Sequence, residues 1–255
     1  MLGAIAGDVI GSIFESRNLK STEFPLFSPR STFTDDTVLT VAVAYAILKD
    51  VDYVTALKSF GRRYPNAGYG GTFYHWLHTA DSRPYNSWGN GSAMRVSPVG
   101  WAFDAIEEVL DEAKKSAEVT HNHPEGIKGA QATALALFLA RNGESKAGIK
   151  QQLSQGFGYN LDRTLAEIRP TYRFDVSCQG SVPQAIIAFL ESDDFEDAVR
   201  KAISLGGDSD TIACIAGAMA HAFYRDIPAA ITANVRQRLP AEFLEIIDEF
   251  KAKYL

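Results

Sequence analysis

The sequence predicts an all-α protein, and three observations support that class. Apolar residues recur at helical spacing through most of the 255 residues, as they do on the buried faces of amphipathic helices. Runs of alternating β-branched residues bounded by turns are nearly absent, so strands are not expected. Glycine-rich polar segments are confined to a few places between the periodic stretches, where loops are expected. We predict one domain over residues 1–255.

The first predicted helix, Leu2–Glu15, has glycine at every fourth position, so one of its faces carries almost no side chains. Each glycine costs about 1 kcal/mol relative to alanine in a helix. This face is therefore expected to contact another backbone, or a ligand, at close range. Asp8 and Glu15 are seven residues apart and are expected to share a face of this helix.

The other predicted helices show the same periodicity, and they are Thr37–Lys49, Val54–Phe60, Trp101–Ser116, Ile127–Arg141, Ser181–Glu191, Thr211–Tyr224 and Phe243–Tyr254. Thr37–Lys49 is apolar nearly all round, which is typical of a central helix. Pro183 falls in the first turn of Ser181–Glu191, where proline is tolerated. The predicted loops are Ser28–Asp36, Pro65–Gly71, Arg83–Gly91, Gly156–Asn160 and Gly206–Asp208. Long loops in a helical domain commonly hold binding sites.

The composition excludes several classes of protein. The formal net charge is −6 and no basic stripe is present, so a broad nucleic-acid-binding surface is not expected. The longest apolar stretches, such as Ala130–Ala140, are shorter than the roughly 20 residues that span a bilayer. No signal peptide is recognised, so we predict a cytoplasmic protein without a membrane partner. Cys178 and Cys214 are predicted to be buried free thiols.

Two short acidic segments each precede an apolar helix: Thr34–Thr37 (TDDT) and Asp208–Thr211 (DSDT). Helix capping alone explains either of them, because Thr and Asp are preferred N-caps and carboxylates suit the first turn. However, a cap needs one acceptor, and each segment offers two carboxylates and at least one hydroxyl. The preceding Gly206-Gly207 pair also lets the backbone turn so that both aspartates of the second segment can face one point. Capping and ligand binding are both compatible with this pattern.

If the two segments meet in space, four carboxylates share one site. At an effective dielectric constant of about 20, each like-charge pair 4 Å apart costs about 4 kcal/mol. Such a cluster survives only by protonation or by binding cations. A set of oxygen donors favours Mg²⁺, Mn²⁺ or Ca²⁺ over zinc or copper. Sequence spacing does not show whether segments more than 170 residues apart meet.

Six motifs, in order along the chain, resemble those of the ADP-ribosylglycohydrolases, which include the dinitrogenase reductase-activating glycohydrolases. The motifs are Gly3–Glu15 (GAIAGDVIGSIFE), Phe33–Thr37 (FTDDT), Gly89–Arg95 (GNGSAMR), Thr120-His121 at the start of a predicted helix, Gly180–Ile187 (GSVPQAII) and Ser204–Ala213 (SLGGDSDTIA). One such motif is weak evidence, but the ordered set covers nearly the whole chain.

This resemblance implies a compact orthogonal helical domain whose central cleft binds two divalent cations, Mg²⁺ or Mn²⁺. By motif position the metal ligands are Thr34, Asp35, Asp36, Asp208, Asp210 and Thr211. The implied substrate contacts are Asn86, Ser87, Trp88, Gly89, Asn90, Gly91, Ser92, His121 and Val176. Trp88 stands where tyrosine or another aromatic residue is expected.

The local chemistry agrees with these assignments without requiring them. The segment Gly89–Ser92 can present backbone N–H groups to a pyrophosphate, although an ordinary Asn-Gly turn also fits. His121 is expected to lie beside the nucleotide, where it can stack on adenine, or else to cap a helix.

The resemblance also implies hydrolysis of the glycosidic bond that joins ADP-ribose to an acceptor, which reverses ADP-ribosylation. A water activated by the metal pair is oriented by Asp36 or another ligand carboxylate, such as Asp35. Glu15 matches an acid at the rim of the cleft that positions the water or gates entry. The acceptor stays open: an arginine or serine side chain of a protein, a nucleobase, or a small molecule.

Two other functions are compatible with the sequence. One is a non-catalytic ADP-ribose-binding or structural protein on the same fold. The other is a two-metal phosphoesterase that acts on a nucleotide. The intact set of acidic residues argues against the first.

Overall fold

The computed structural model describes all 255 residues and confirms the all-α class. It contains no strand, and its only β-type pairing is an isolated bridge between Gly89 and Ser177. The helices are α1 (Leu2–Gly11), α2 (Asp35–Lys49), α3 (Tyr53–Arg63), α4 (Gly71–His78), α5 (Gly91–Met94), α6 (Ser97–Ala102), α7 (Ile106–Glu118), α8 (Pro124–Arg141), α9 (Lys146–Phe157), α10 (Leu165–Ile168), α11 (Cys178–Leu190), α12 (Phe195–Ile203), α13 (Ser209–Tyr224), α14 (Ala229–Arg236) and α15 (Ala241–Tyr254).

The glycine face of α1 packs directly on α13, so that of the two alternatives left open by the sequence the structure shows a backbone and not a ligand at this face. A Cβ atom at Gly3 would overlap the Gly217 carbonyl, and one at Gly7 would overlap the Ala213 carbonyl. At Gly11 it would lie 2.5 Å from Asp210 Cα. The two helices are therefore antiparallel and in backbone contact, because only glycine leaves room for that approach. This contact brings the C-terminal end of α1 to the acidic start of α13.

The buried apolar side chains form one contiguous cluster in which α2, α8, α11 and α13 are central. Helix α2 packs on α3, α6 and α15, while α8 packs on α7, α6 and α13. None of the helices is both long and apolar enough to cross a membrane. Both cysteines are free and buried, as predicted.

Several predicted helix boundaries are wrong, including the start of α8, which lies at Pro124 and not at Ile127. The first helix ends at Gly11, so Glu15 lies in the turns that follow it. The predicted helix Trp101–Ser116 is interrupted between α6 and α7, where the Arg141 guanidinium donates to the Phe103 carbonyl and to the Asp104 carboxylate. The bond from Arg141, which lies on α8, satisfies the Phe103 carbonyl, which would accept a backbone N–H if the helix continued.

Helix α11 begins three residues earlier than predicted. Ser177 is its N-cap, and the Ser177 side chain accepts a hydrogen bond from the Gly180 N–H. Pro183 consequently lies inside the helix and not in its first turn. The proline ring removes one backbone hydrogen-bond donor from the helix there.

Candidate active site

A cleft of about 540 Å³ opens where the N-terminal ends of α2 and α13 face the loop before α5. Every residue that the sequence singles out as a metal ligand or catalytic acid lines it, and so do all the expected substrate contacts except Ser92. The fold therefore gathers residues from positions 15 to 211 around one space.

The first acidic segment begins α2. Thr34 is the N-cap, and its side chain accepts a hydrogen bond from the Asp36 N–H at 3.3 Å. Asp36 is 2 % exposed, and its Oδ1 atom is buried with no hydrogen-bond partner. The capping interpretation thus holds for Thr34 but leaves the Asp36 carboxylate unexplained.

Asp8 of α1 holds this segment in place, a role that the sequence did not indicate. It is fully buried and accepts hydrogen bonds from the backbone N–H groups of Thr34 (2.9 Å) and Thr37 (3.1 Å). The hydroxyls of both threonines donate to it as well. Four donors occupy its two oxygens. The only signal in the sequence is an aspartate in the middle of an otherwise apolar glycine helix.

The second acidic segment begins α13 and is held differently. Asp208 is the N-cap position, but its side chain makes no capping hydrogen bond. Instead, Asp208 Oδ2 accepts from Asn90 Nδ2 at 2.6 Å. Gly206 and Gly207 have φ of +70° and +67°, left-handed values that favour glycine. Capping therefore does not account for this segment.

The two acidic segments meet across the cleft. Thr211 Oγ1 donates to Asp36 Oδ2 at 3.2 Å. Asp8, Asp36 and Asp210 each place a carboxylate oxygen within 4.8 Å of the others, and Glu15, Asp208 and Asp210 form a second such group.

No lysine or arginine forms a salt bridge with any of these carboxylates, since all the ion pairs of the protein lie elsewhere. The protein thus supplies no cationic side chain that could neutralise the acidic cluster.

Burial and mutual repulsion raise the pKa values throughout the cluster. Burial is the larger cause for Asp36 and Asp210, whose pKa values rise well above the ordinary range, and neighbouring carboxylates add to it. The same causes raise the pKa of Asp35 to about 8. The pKa of Asp8 rises to about 6 because burial outweighs the hydrogen bonds from Thr34 and Thr37. Without cations, these groups hold protons at pH values where surface aspartates have lost them.

The donors in the cluster fit a hard divalent cation. They are carboxylate and hydroxyl oxygens, without sulfur or imidazole, and one buried oxygen (Asp36 Oδ1) lacks any partner. Both Asp8 oxygens already accept hydrogen bonds. Asp8 therefore orients the segment that carries Thr34 and Asp36, and Asp36 Oδ1 is the buried oxygen of that segment left without a partner.

The opposite wall is the loop Asn86–Gly91, which a backbone bridge fixes. The Asn90 N–H donates to the Val176 carbonyl at 2.7 Å, and the Cys178 N–H donates to the Trp88 carbonyl at 2.9 Å. The N–H groups of Gly91 and Ser92 find no protein acceptor. The Ser92 side chain is fully buried and donates to the Gly126 carbonyl at 2.7 Å, so it faces away from the cleft. Ser92 does not line the cleft, whereas the backbone of Gly91 does.

His121 lines the cleft and is 5 % exposed. Burial, and next the charge of Arg95, keep its pKa well below the usual range, so the ring is neutral. The expectation that Thr120-His121 opens a helix is wrong. Helix α8 begins at Pro124, and its N-cap is His123, whose Nδ1 accepts from the Glu125 N–H at 3.1 Å.

Large apolar side chains surround the mouth of the cleft. Trp88 is 54 % exposed and Val176 is 52 % exposed. Phe174, at 57 %, lines the cleft beside them and was missed by sequence reasoning, because a single exposed phenylalanine in a loop carries no periodic signal. Together they offer a flat ring or a sugar an apolar surface at the entrance.

Comparison with known proteins connects this site to one family. The profile of the ADP-ribosylglycohydrolase family matches residues 1–254. The chain is 29% identical to ADP-ribosylhydrolase ARH3 of Gallus gallus, with 88% of this chain and 84% of the relative covered, and the figures for ARH3 of Homo sapiens are the same.

A shorter match, 28% identical, covers 53% of this chain and 38% of ADP-ribosylarginine hydrolase Tri1 of Pseudomonas putida (strain GB-1). A solved structure described as an ADP-ribosylglycohydrolase-related protein complex superposes with a TM-score of 0.75 at 24% identity, covering 100% of this chain and 96% of that one. This last likeness shows the shared fold.

Proposed function

This chain belongs to the ADP-ribosylglycohydrolase family, and from that membership and the cleft we propose that it is a divalent-metal-dependent hydrolase of the glycosidic bond between ADP-ribose and an acceptor. The observation that carries the metal dependence is the cluster of buried carboxylates without a neutralising side chain. Relatives named as ADP-ribosylhydrolases and as an ADP-ribosylarginine hydrolase support ADP-ribose as the bound group.

The metal site that we propose uses the oxygens of Thr34, Asp35, Asp36, Asp208, Asp210 and Thr211. Two Mg²⁺ or Mn²⁺ ions bound there would neutralise the carboxylates, polarise ribose hydroxyls and lower the pKa of a water molecule. Carboxylate donors in this number suit such ions and leave zinc and copper without their preferred ligands.

The protein groups then divide the remaining tasks. Asp36, with Asp35 beside it, accepts the proton that the attacking water loses. Glu15 is exposed at the rim, and its pKa is raised by partial burial and by Asp208 and Asp8. From that position it orients the water or closes the entrance. The positive charge that develops on the sugar in the transition state is stabilised by the surrounding carboxylates.

The loop end of the cleft supports binding of the diphosphate. The Gly91 N–H group, which has no protein acceptor and lies at the cleft, can donate to a phosphate oxygen. The exposed faces of Trp88 and Val176 can contact the base or the distal sugar. One end of the cleft is thus suited to the reacting ribose and the other to the nucleotide.

The test is a panel of linkage-defined substrates, with ADP-ribose on arginine, on serine, on a nucleobase and on a small alcohol. Each is incubated with the protein and Mg²⁺ or Mn²⁺, and products are identified by mass spectrometry. We expect free ADP-ribose from at least one linkage, and loss of that activity after exhaustive chelation with recovery on adding metal.

The control separates this proposal from the two alternatives. A non-catalytic ADP-ribose binder gives tight binding and no product on any substrate. A phosphoesterase releases nucleoside monophosphate or inorganic phosphate from ADP-ribose itself. Full activity in protein shown by elemental analysis to be metal-free contradicts the metal-dependent mechanism.

A further inference from the structure

Arg95 is the only lysine or arginine among the residues that line the cleft, and it is fully buried. It forms no salt bridge. Its Nη2 atom donates to the Ser116 carbonyl at 2.8 Å and to Thr120 Oγ1 at 2.9 Å, while Nε and Nη1 are buried without partners. Burying an unpaired charge is costly, and these nitrogens are inaccessible to a ligand. A direct ion pair with substrate therefore does not explain this residue.

Arg95 is connected to His121 by hydrogen bonds through Thr120. A guanidinium only donates hydrogen bonds, so Thr120 Oγ1 is an acceptor toward Arg95. The same oxygen lies 2.7 Å from His121 Nδ1. A hydroxyl has one hydrogen, and directing it to Nδ1 completes the chain from Arg95 through Thr120 to His121. Since the His121 ring is neutral, an accepting Nδ1 places the ring hydrogen on Nε2.

The Nε2 atom faces the glycine loop. A Cβ atom on Gly91 would lie 3.1 Å from Nε2, and one on Gly89 would lie 3.5 Å from it. No protein acceptor bonds to Nε2. The two glycines thus keep open the space into which an Nε2–H group points, next to the free N–H group of Gly91.

We propose that Arg95 and Thr120 are positioning residues that hold His121 as its neutral Nε2–H tautomer, so that it donates to a phosphate oxygen at the glycine loop. This inference rests on the proposed function for the identity of the ligand. The opposite tautomer, with Nδ1–H donating to Thr120 and the hydroxyl hydrogen turned to nearby Tyr85, would present a lone pair that repels phosphate.

The charge distribution of the cleft explains why a neutral donor serves here. An accessible lysine or arginine would be attracted to the acidic cluster and would compete with cations for Asp36 and Asp210. A buried arginine, bound to a carbonyl and a hydroxyl, cannot move there. The Arg95 guanidinium thus affects the ligand only by fixing the direction of the hydrogen bonds of Thr120 and His121, and it does not pair with the carboxylates.

The first measurement is the imidazole ¹⁵N spectrum of the full-length protein with labelled histidine at neutral pH. The protein has five histidines, and the His121 signals are assigned by their loss in His121→Gln. We expect the Nε2–H tautomer in the wild type. Thr120→Val should give mixed tautomers, and Thr120→Ser should restore the wild-type pattern. Tyr85→Phe, which removes the alternative acceptor, should leave the tautomer unchanged.

The second measurement is the affinity for ADP-ribose by calorimetry. Thr120→Val should weaken binding about tenfold, the worth of a hydrogen bond to a charged group, and Thr120→Ser should not. Gly91→Ala should weaken binding to a similar extent while leaving the tautomer as in the wild type, because its methyl group occupies the space at Nε2. A purely structural Thr120 would lower stability without changing the tautomer.

An Nδ1–H or doubly protonated His121 in the wild type overturns the proposal even if no variant folds. Unchanged tautomer and affinity in Thr120→Val overturn it as well. If the wild type shows the Nε2–H tautomer but binds no ADP-ribose, the proposed function fails and the phosphate donor role fails with it, while the hydrogen-bond chain stands.

Discussion

The two acidic segments look alike in sequence, yet the protein holds them by different means. Thr34–Thr37 is held from within the core, since Asp8 of α1 accepts the N–H groups of Thr34 and Thr37. Asp208–Thr211 is held by left-handed glycine backbone and by an amide from the ligand loop, Asn90. The position of the first segment therefore depends on the packing of α1 on α13. The position of the second segment depends on the loop that is expected to bind the ligand.

This difference shows that a cap-like motif has to be interpreted from the contacts of those side-chain oxygens that do not cap the helix. Thr34 does cap α2, whereas Asp208 caps nothing. In each segment one further carboxylate, Asp36 or Asp210, is buried beside the other, and no lysine or arginine forms a salt bridge with either. A helix start that satisfies its own N–H groups and still keeps buried free carboxylates has a second role.

The largest expected effect is that of Asp8→Ala on the first segment. The substitution leaves two buried N–H groups without acceptors, each costing about 1 to 3 kcal/mol. We expect the free energy of unfolding, measured with saturating Mn²⁺, to fall by about 3 kcal/mol or more. Asp8→Asn is the matched control, because one amide oxygen can still accept both N–H groups. Equal losses in the two variants would contradict the holding role of Asp8.

The next effect concerns Asp210→Asn in the second segment. Wild-type protein at a metal concentration 100 times the dissociation constant should gain about 2.7 kcal/mol of stability. The variant should lose that gain and its activity. Its metal-free form should be as stable as wild type or more so, because one of several repelling charges is gone.

Thermal unfolding with and without Mg²⁺ or Mn²⁺, paired with the hydrolysis assay, measures these changes. A simple capping role predicts a different result, since Asn and Asp cap almost equally well. A full metal-induced shift with normal turnover would remove Asp210 from the ligand set.

The smallest expected effect is a difference between two glycine-to-alanine substitutions, at Gly207 in the turn before α13 and at Gly158. The difference distinguishes the cost of backbone strain from the cost of overpacking. Gly207 and Gly158 both have φ of +67°, but a Cβ atom at Gly207 would lie 2.8 Å from Tyr172 Cε1, while at Gly158 nothing lies within 4 Å. Alanine at either site should cost about 1 to 2 kcal/mol for the left-handed conformation. Gly207→Ala should cost at least about 1 kcal/mol more through overpacking.

Urea unfolding of both variants checks this difference. Metal affinity should fall only in Gly207→Ala, because the shift is transmitted to Asp208. Equal costs in the two variants, with unchanged metal affinity, would show that the turn does not position the second cluster.

Helices with a strong apolar repeat were predictable from sequence, and those whose limits depend on distant groups were not. The core of α2, α8, α13 and α15 follows from local periodicity. The break before α7 depends on Arg141, which lies on another helix. Helix α12 was not predicted, although Phe195–Ile203 has an Asp194 N-cap and a clear apolar face. The signal for this helix is therefore present in the sequence.

The sequence by itself determined the fold class, a glycine face on α1 that needs a backbone or a ligand at close range, and two oxygen-rich segments at helix starts, because helical periodicity, glycine spacing and side-chain chemistry are local properties. Tertiary structure alone decided that these segments meet, that Asp8 and Asn90 hold them, that Ser92 faces away from the cleft, and that Arg95 is joined to His121 through Thr120. Those relations join residues from different helices. Hydrogen-bond direction and burial depend on the positions of both partners, which no local pattern contains.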